Sequence, residues 1–192
     1  MEKLPIDRVK WPFIALLAAA AVLATAHAFE RFGGYMPCAL CLRQREVYWA
    51  AGALAFAAIV INWRGARPWL MISLCLALGG VFLYSFGLSG YHSLVEWKIL
   101  PAPTTCAALP ITFNPDNILD ILNKPMHPPS CGDAAWRDPI VKLSMAGWNA
   151  IVSIILAGLS IFAATRAPTG TDTQNETEIL EPEPKQGQDV AA

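Results

Sequence analysis

The sequence predicts an all-α membrane protein, a four-transmembrane-helix bundle, and three observations carry that class. Hydrophobic residues make up 55% of the 192-residue chain and charged residues only 15%, with a mean hydropathy of +0.40. The apolar residues gather in four blocks, each about the length of the roughly 20 residues that a helix needs to cross a bilayer. Between the blocks lie polar segments marked by proline, glycine and charge. A net charge of -1 and the lack of a basic patch argue against a nucleic-acid partner.

Residues 1–10 are a short basic start with Lys3, Arg8 and Lys10. The first span follows from Trp11 to Phe29. A basic start, an apolar core and Ala26-His27-Ala28 also fit a cleavable signal peptide. The apolar run is long for one, however, and further spans follow. Residues 30–44 are the first polar loop, with Gly33-Gly34 and the pair Cys38 and Cys41. A second span runs from about Arg45 to Asn62, and Trp63 to Pro68 is a tight turn carrying Arg64 and Arg67. The third span, Trp69 to about Gly90, contains Gly79-Gly80 and Gly87, small residues that permit close helix approach in membranes.

Residues 91–143 form the longest polar segment. Within it Asn114-Pro115-Asp116 is a helix start signal, and Ile118, Leu119, Ile121 and Leu122 then share a face. This predicts a short amphipathic helix, lying either on the bilayer surface or on protein. The fourth span runs from about Ser144 to Ala164, so the bundle occupies residues 11–164. Residues 165–192 are acidic and proline-bearing with no apolar periodicity, which predicts a disordered tail.

Four spans put both termini on one side and both cysteine-bearing loops, 30–44 and 91–143, on the other. The 14 Lys and Arg residues divide evenly between the sides, but the short segments on the side of the termini are denser in positive charge. That bias leans towards cytoplasmic termini. Five cysteines are present. Cys38, Cys41, Cys106 and Cys131 lie in or beside polar segments, and Cys75 lies inside an apolar block, where a thiol behaves as a small apolar residue. Four plus one suggests two disulfides and a spare thiol, and disulfides require an oxidising compartment, which favours cysteine loops outside the cytoplasm.

A Cys-x-x-Cys pair at the start of a helix is commonly redox-active. The positive end of the helix dipole is expected to favour a thiolate on Cys41. Arg45, one turn further along the same face, is a fixed cation able to hold a second anion beside that sulfur. Cys106 and Cys131 form a second pair on the same side, and two pairs suggest an electron relay through disulfide exchange. The alternatives are a disulfide that only staples the loop, or a zinc site built from four cysteines. A relay must discharge two electrons, and a bilayer site invites a lipid-soluble carrier, since no glycine fingerprint for a nucleotide cofactor is present. His92, where the third span ends, is a candidate to hydrogen-bond a quinone carbonyl or move a proton. Trp136 and Trp148 are candidates to line a carrier pocket or to form part of an interfacial aromatic belt.

From Trp11 to Ala164 the chain resembles the DsbB family of membrane disulfide-bond formation proteins. The resemblance rests on four spans, on Pro37-Cys38-Ala39-Leu40-Cys41 with Arg45 behind it, and on Pro101-x-Pro103 before Cys106. Ser130-Cys131 followed by Ala135-Trp136 completes it. It implies a quinone-dependent protein-disulfide oxidoreductase of the bacterial inner membrane, with periplasmic cysteine loops. The implied partner is a DsbA-like periplasmic thiol oxidoreductase, and the implied cofactor is ubiquinone or menaquinone, with no metal. Cys106 would form the mixed disulfide with the partner and Cys131 would pair with it. Cys38 would receive the electrons, Cys41 would face the quinone, and Arg45 and His92 would bind it. The energetics call for a strong oxidant as acceptor. A DsbA-type dithiol sits near -120 mV, so an acceptor some 60 to 100 mV lower would oppose transfer by roughly 3 to 5 kcal/mol. Two rivals stand beside this reading: an enzyme like vitamin K epoxide reductase, and a non-catalytic membrane protein with loop-stapling disulfides or a four-cysteine metal site.

Overall fold

The computed structural model describes residues 6–106 and 130–168. The amphipathic helix expected after Asn114 and the tail from residue 169 onward lie outside the described residues. Four helices form the bundle: α1 (Trp11–Gly33), α2 (Ala39–Trp63), α3 (Pro68–Glu96) and α4 (Met145–Thr165). Each is long and apolar enough to cross a membrane, and the described residues contain no strand, only an isolated bridge between Arg137 and Ser144. Large side chains such as Phe13, Leu17, Trp49, Phe56, Leu76 and Ile155 are exposed along the outer faces. In water such surfaces would aggregate; in lipid they are solvated.

The helix ends follow local chemistry. Pro12 and Pro68 stand in the first turns of α1 and α3, where a missing N–H costs no helical hydrogen bond. Gly34 closes α1 in the left-handed region at φ 69°, which glycine adopts without a side-chain clash. Ser144 caps α4, its Oγ accepting from the Gly147 N–H at 3.2 Å. Three boundaries differ from the sequence expectation. α1 continues to Gly33 rather than ending at Phe29. α2 starts at Ala39, so the Cys-x-x-Cys pair belongs to its first turn, because Cys38 supplies the cap that lets the helix begin there. α3 continues to Glu96 rather than ending near Gly90, which carries His92 inside the helix.

The buried face of α3 reads Met71, Cys75, Leu78, Phe82, Ser85, Ser89, His92, Glu96. Those positions alternate steps of four and three, the period of a left-handed bundle seam. The stripe is apolar at the start of α3 and polar towards its end. At the apolar end it packs with Trp11, Ala15 and Ala19 of α1, Ala51 and Ala55 of α2, and Leu156 and Ala157 of α4. Trp11 also donates from Nε1 to Ser160 Oγ at 2.9 Å, tying α1 to α4. Cys75 is fully buried, with its sulfur 3.7 Å from the Arg8 carbonyl, far in the chain from the other thiols.

The most extensive helix contact is between α3 and α4. A side chain added at Gly79 would meet Ile161 Cγ1 at 3.3 Å and Ser160 Cβ at 3.5 Å, whereas one added at the adjacent Gly80 would meet nothing within 4 Å. Gly79→Leu is therefore expected to destabilise the bundle by about 1 to 3 kcal/mol through overpacking, and Gly80→Leu to be neutral. Thermal unfolding in detergent checks this; equal midpoints for the two variants would contradict the packing.

Candidate functional site

Cys38 is the N-cap of α2, with extended backbone (φ -77°, ψ 171°), and its Sγ accepts the Cys41 backbone N–H at 3.3 Å. The two sulfurs lie 3.0 Å apart, and both residues are free thiols. Cys38 is buried, while Cys41 is half-buried. The helix-end stabilisation expected at Cys41 thus falls on Cys38, because the cap residue, not the residue inside the first turn, receives the unpaired backbone N–H. The Cys38 thiol is held well below its ordinary value, at about 4. The hydrogen bond shared with Cys41 is the main cause, opposed by burial and aided by His92.

His92 is 3% exposed, so it is a buried member of the site rather than a solvated one. Its Nε2 lies 3.6 Å from Cys38 Sγ and 3.7 Å from Glu96 Oε1, one turn further along α3. Its Nδ1 lies 2.9 Å from Gln44 Nε2 of α2. Gln44 Oε1 accepts from Asn149 Nδ2 of α4 at 2.9 Å, and Asn149 Oδ1 accepts from Tyr48 Oη at 2.7 Å. Glu96 is buried as well, and its Oε2 has no hydrogen-bond partner among the described residues. Sequence reading missed Gln44, Glu96 and Asn149. A carboxylate and amides inside apolar helices are the available signal, since polar groups there are costly and usually face the bundle interior.

Arg45 crosses to α1, donating to Glu30 Oε2 at 2.5 Å and to the Ala26 carbonyl at 3.1 Å. It is a paired cation on the flank of the dithiol helix. Arg43 is exposed and pairs with Glu46 at 3.0 Å.

Cys106 and Cys131 are joined in a disulfide. Cys106 ends a 3-10 turn, Thr104–Cys106, and the Cys131 side is fixed by Lys98, whose Nζ donates to the Gly132 carbonyl at 2.6 Å and to Asp133 at 3.0 Å. Hydrogen bonds from Ser130 and then Lys98 hold the Asp133 carboxyl below its usual range. The disulfide packs into one cluster with Cys38, Leu40 and Val95, against which Cys41, Leu88 and Tyr91 also rest. Both cysteine pairs thus meet at one end of the bundle. Trp136 lies against Phe29 of α1, ring centroids 5.3 Å apart, and Trp148 is exposed. Two open apolar grooves, one lined by Phe13, Ile59 and Trp63 and the other by Val47, Gly80 and Tyr84, do not include the sulfurs.

The family model of the disulfide bond formation protein DsbB matches residues 8–163. The chain is similar to the disulfide bond formation protein B of Methylococcus capsulatus, 32% identical over 155 residues, covering 78% of this chain and 88% of that protein. It is also similar to disulfide bond formation protein B 2 of Pseudomonas entomophila, at 26% identity over 158 residues, 77% of this chain and 84% of that protein. For the protein B of Marinobacter nauticus the identity is 27% over 165 residues, 82% and 92% of the two chains. No solved structure matches the chain.

A thiol lowered from 9.0 to about 4 is ionised at neutral pH. With Cys38 and Cys41 reduced, ultraviolet thiolate absorbance is expected to persist in mild acid and to vanish only as pH falls through about 4. Cys41→Ala removes the largest cause and should shift the transition upward. Absorbance that develops only as pH rises towards 9.0 in the parent protein would contradict the hydrogen bond between the two sulfurs.

Proposed function

Because the chain belongs to the DsbB family of disulfide bond formation proteins, we propose that it reoxidises a DsbA-like periplasmic dithiol and passes the electrons to a membrane quinone, ubiquinone or menaquinone. The observation that carries this reading is the packing of the Cys106–Cys131 disulfide in the same cluster as Cys38. Two pairs so placed can exchange without a long-range rearrangement of the bundle. A cysteine-bearing end on the oxidising side of the inner membrane, with cytoplasmic termini, is the orientation that suits a disulfide there.

The exchange balances in two steps. A partner thiolate attacks one sulfur of Cys106–Cys131 to form a mixed disulfide, and the partner's second thiol displaces it. The partner loses two electrons, and Cys106 and Cys131 become thiols. One of these then attacks an oxidised Cys38–Cys41 pair; the loop disulfide re-forms and Cys38 and Cys41 are left reduced. Cys38 suits the leaving role, because a thiol of low pKa departs readily.

Cys38 and Cys41 must then lose two electrons and two protons. A bound quinone supplies a two-electron, two-proton acceptor. The residues present fit such a group: Cys41 is the half-buried sulfur of the pair, and Arg45 stands one turn along α2. Glu30 and Ala26 engage its Nη1 and Nη2, leaving further N–H groups of its five donors for a carbonyl oxygen. His92, behind Cys38, faces the dithiol's sulfur through Nε2. A metal site made of all four loop cysteines is the weaker reading, since two of the sulfurs are bonded to each other.

Quinone reduction by the purified protein, with a reduced DsbA-type dithiol as donor, tests the proposal. Turnover is expected in the parent and loss of it in each of Cys38→Ser, Cys41→Ser, Cys106→Ser and Cys131→Ser. Arg45→Ala should slow quinone reduction by tenfold or more, about the loss of one charge-assisted hydrogen bond, while the mixed disulfide with the donor still forms. A folded parent inactive with both quinones would sink the reading.

A further inference from the structure

Behind the dithiol a line of polar side chains crosses three helices, and its hydrogen-bond directions are set from the far end. Ser89 Oγ donates its only hydrogen to the Ser85 carbonyl at 2.7 Å. What faces its lone pairs must therefore be a donor, and Asn149 Nδ2 does so at 2.7 Å. That amide group's second hydrogen goes to Gln44 Oε1 at 2.9 Å. Gln44, with its oxygen turned to Asn149, must present its NH2 to His92 Nδ1, 2.9 Å away. A ring nitrogen that accepts a hydrogen bond carries no proton, so a neutral His92 bears its proton on Nε2, the nitrogen that faces Cys38 Sγ at 3.6 Å. Tyr48 agrees from the other side: its hydroxyl donates to Asn149 Oδ1 at 2.7 Å, which holds the same amide orientation.

We infer that Asn149 and Gln44 are positioning residues that lock the tautomer of His92, so that Nε2–H faces the sulfur of Cys38, with Glu96 Oε1 beside it. Neither Asn149 nor its anchor Ser89 contacts a sulfur in the described hydrogen bonds; they act through the ring. The same polarity bears on metal binding. One ligand atom each from Cys38, Cys41 and His92 lie within 4.8 Å of one another, a donor set suited to zinc. With the proton on Nε2, His92 turns a donor rather than a lone pair towards that set. The lock favours a thiolate over a metal ligand.

The inference concerns the dithiol of the proposed relay and rests on that reading for its purpose. Its test needs neither quinone nor partner, so either can fail alone. Nitrogen-15 spectra of the reduced protein in detergent, with the His92 signals assigned by their loss in His92→Gln, report which ring nitrogen is protonated. The parent should show the Nε2–H form. Asn149→Asp makes both atoms of that terminus acceptors, so Gln44 should rotate, present its oxygen to Nδ1 and move the proton there. Ser89→Ala removes the anchor with less disturbance and should give a mixture of both forms. The proton affinity of Cys38, followed by thiolate absorbance, should rise about tenfold in Asn149→Asp, the loss of one hydrogen bond to a charged group. The titratable and charged groups around it are Cys41 on α2, His92 and Glu96 on α3, and Arg137 acting on Glu96. A parent with the proton on Nδ1 overturns the inference, as do folded Asn149→Asp and Ser89→Ala variants that keep the parent's tautomer and thiolate titration. Tight zinc binding by the reduced parent through His92 Nε2 overturns it too.

Discussion

The sulfur of Cys38 takes the position that serine or aspartate usually holds at a helix start, and much of the site follows from that contact. As a cap it lets α2 begin at Ala39, which brings Cys41 into the first turn and Gln44 and Arg45 one turn on. As an acceptor of the Cys41 N–H it is stabilised as an anion, because a helix start concentrates unpaired donors. The loop disulfide packs in the same cluster as Cys38, and His92 faces this sulfur. One atom is thus structural cap and hydrogen-bond acceptor and, in the proposed relay, electron acceptor, and mutation of Cys38 will perturb all three at once.

α3 supplies the second half of the arrangement. At about 1.5 Å per residue its 29 residues reach roughly 44 Å, more than the roughly 30 Å of hydrocarbon in a bilayer. The excess carries His92 and Glu96 towards the interface on the same stripe that buries Phe82 and Cys75 deeper in the bundle. A single seven-residue period therefore serves two solvents. Where the stripe meets hydrocarbon depth it is apolar, and where it meets the cysteine pairs it is polar, each polar position facing a neighbouring helix rather than lipid.

The four helices were legible because lipid demands long apolar blocks, and composition reads these directly. Helix ends were less legible. Hydropathy stops at the last apolar residue, and it placed the start of α2 near Arg45 and the end of α3 near Gly90, whereas capping by Cys38 and continued seam packing extend both helices. The cysteines were legible as chemistry, since their spacing marks them. That Cys38 rather than Cys41 receives the cap hydrogen bond was not legible, because cap geometry depends on which residue leaves the helical conformation. His92 read as solitary because Gln44 and Asn149 lie on other helices, and only the bundle brings them to it. The pairing of Arg45 with Glu30 was hidden for the same reason: Glu30 sits fifteen positions away in sequence.

The choice of amides behind the dithiol has a physical logic of its own. A carboxylate at Asn149 would orient the chain too, but burying a charge at that depth costs several kcal/mol unless it is paired. Interhelical hydrogen bonds between neutral groups in a membrane contribute only about 0.6 kcal/mol each on average, so this line of polar residues adds little stability. What it adds is direction. An amide has a donor end and an acceptor end, and a serine whose hydrogen is already committed to a backbone carbonyl fixes which end faces which neighbour. Two amides in series then transmit that orientation from α4 to a ring on α3 without moving a charge through the bilayer. Glu96 is the exception, a buried carboxyl with one oxygen lacking a partner among the described residues. It lies on the Nε2 side of the ring, where the proposed relay would have the dithiol release protons, and not on the Nδ1 side, where the amides hold the ring still.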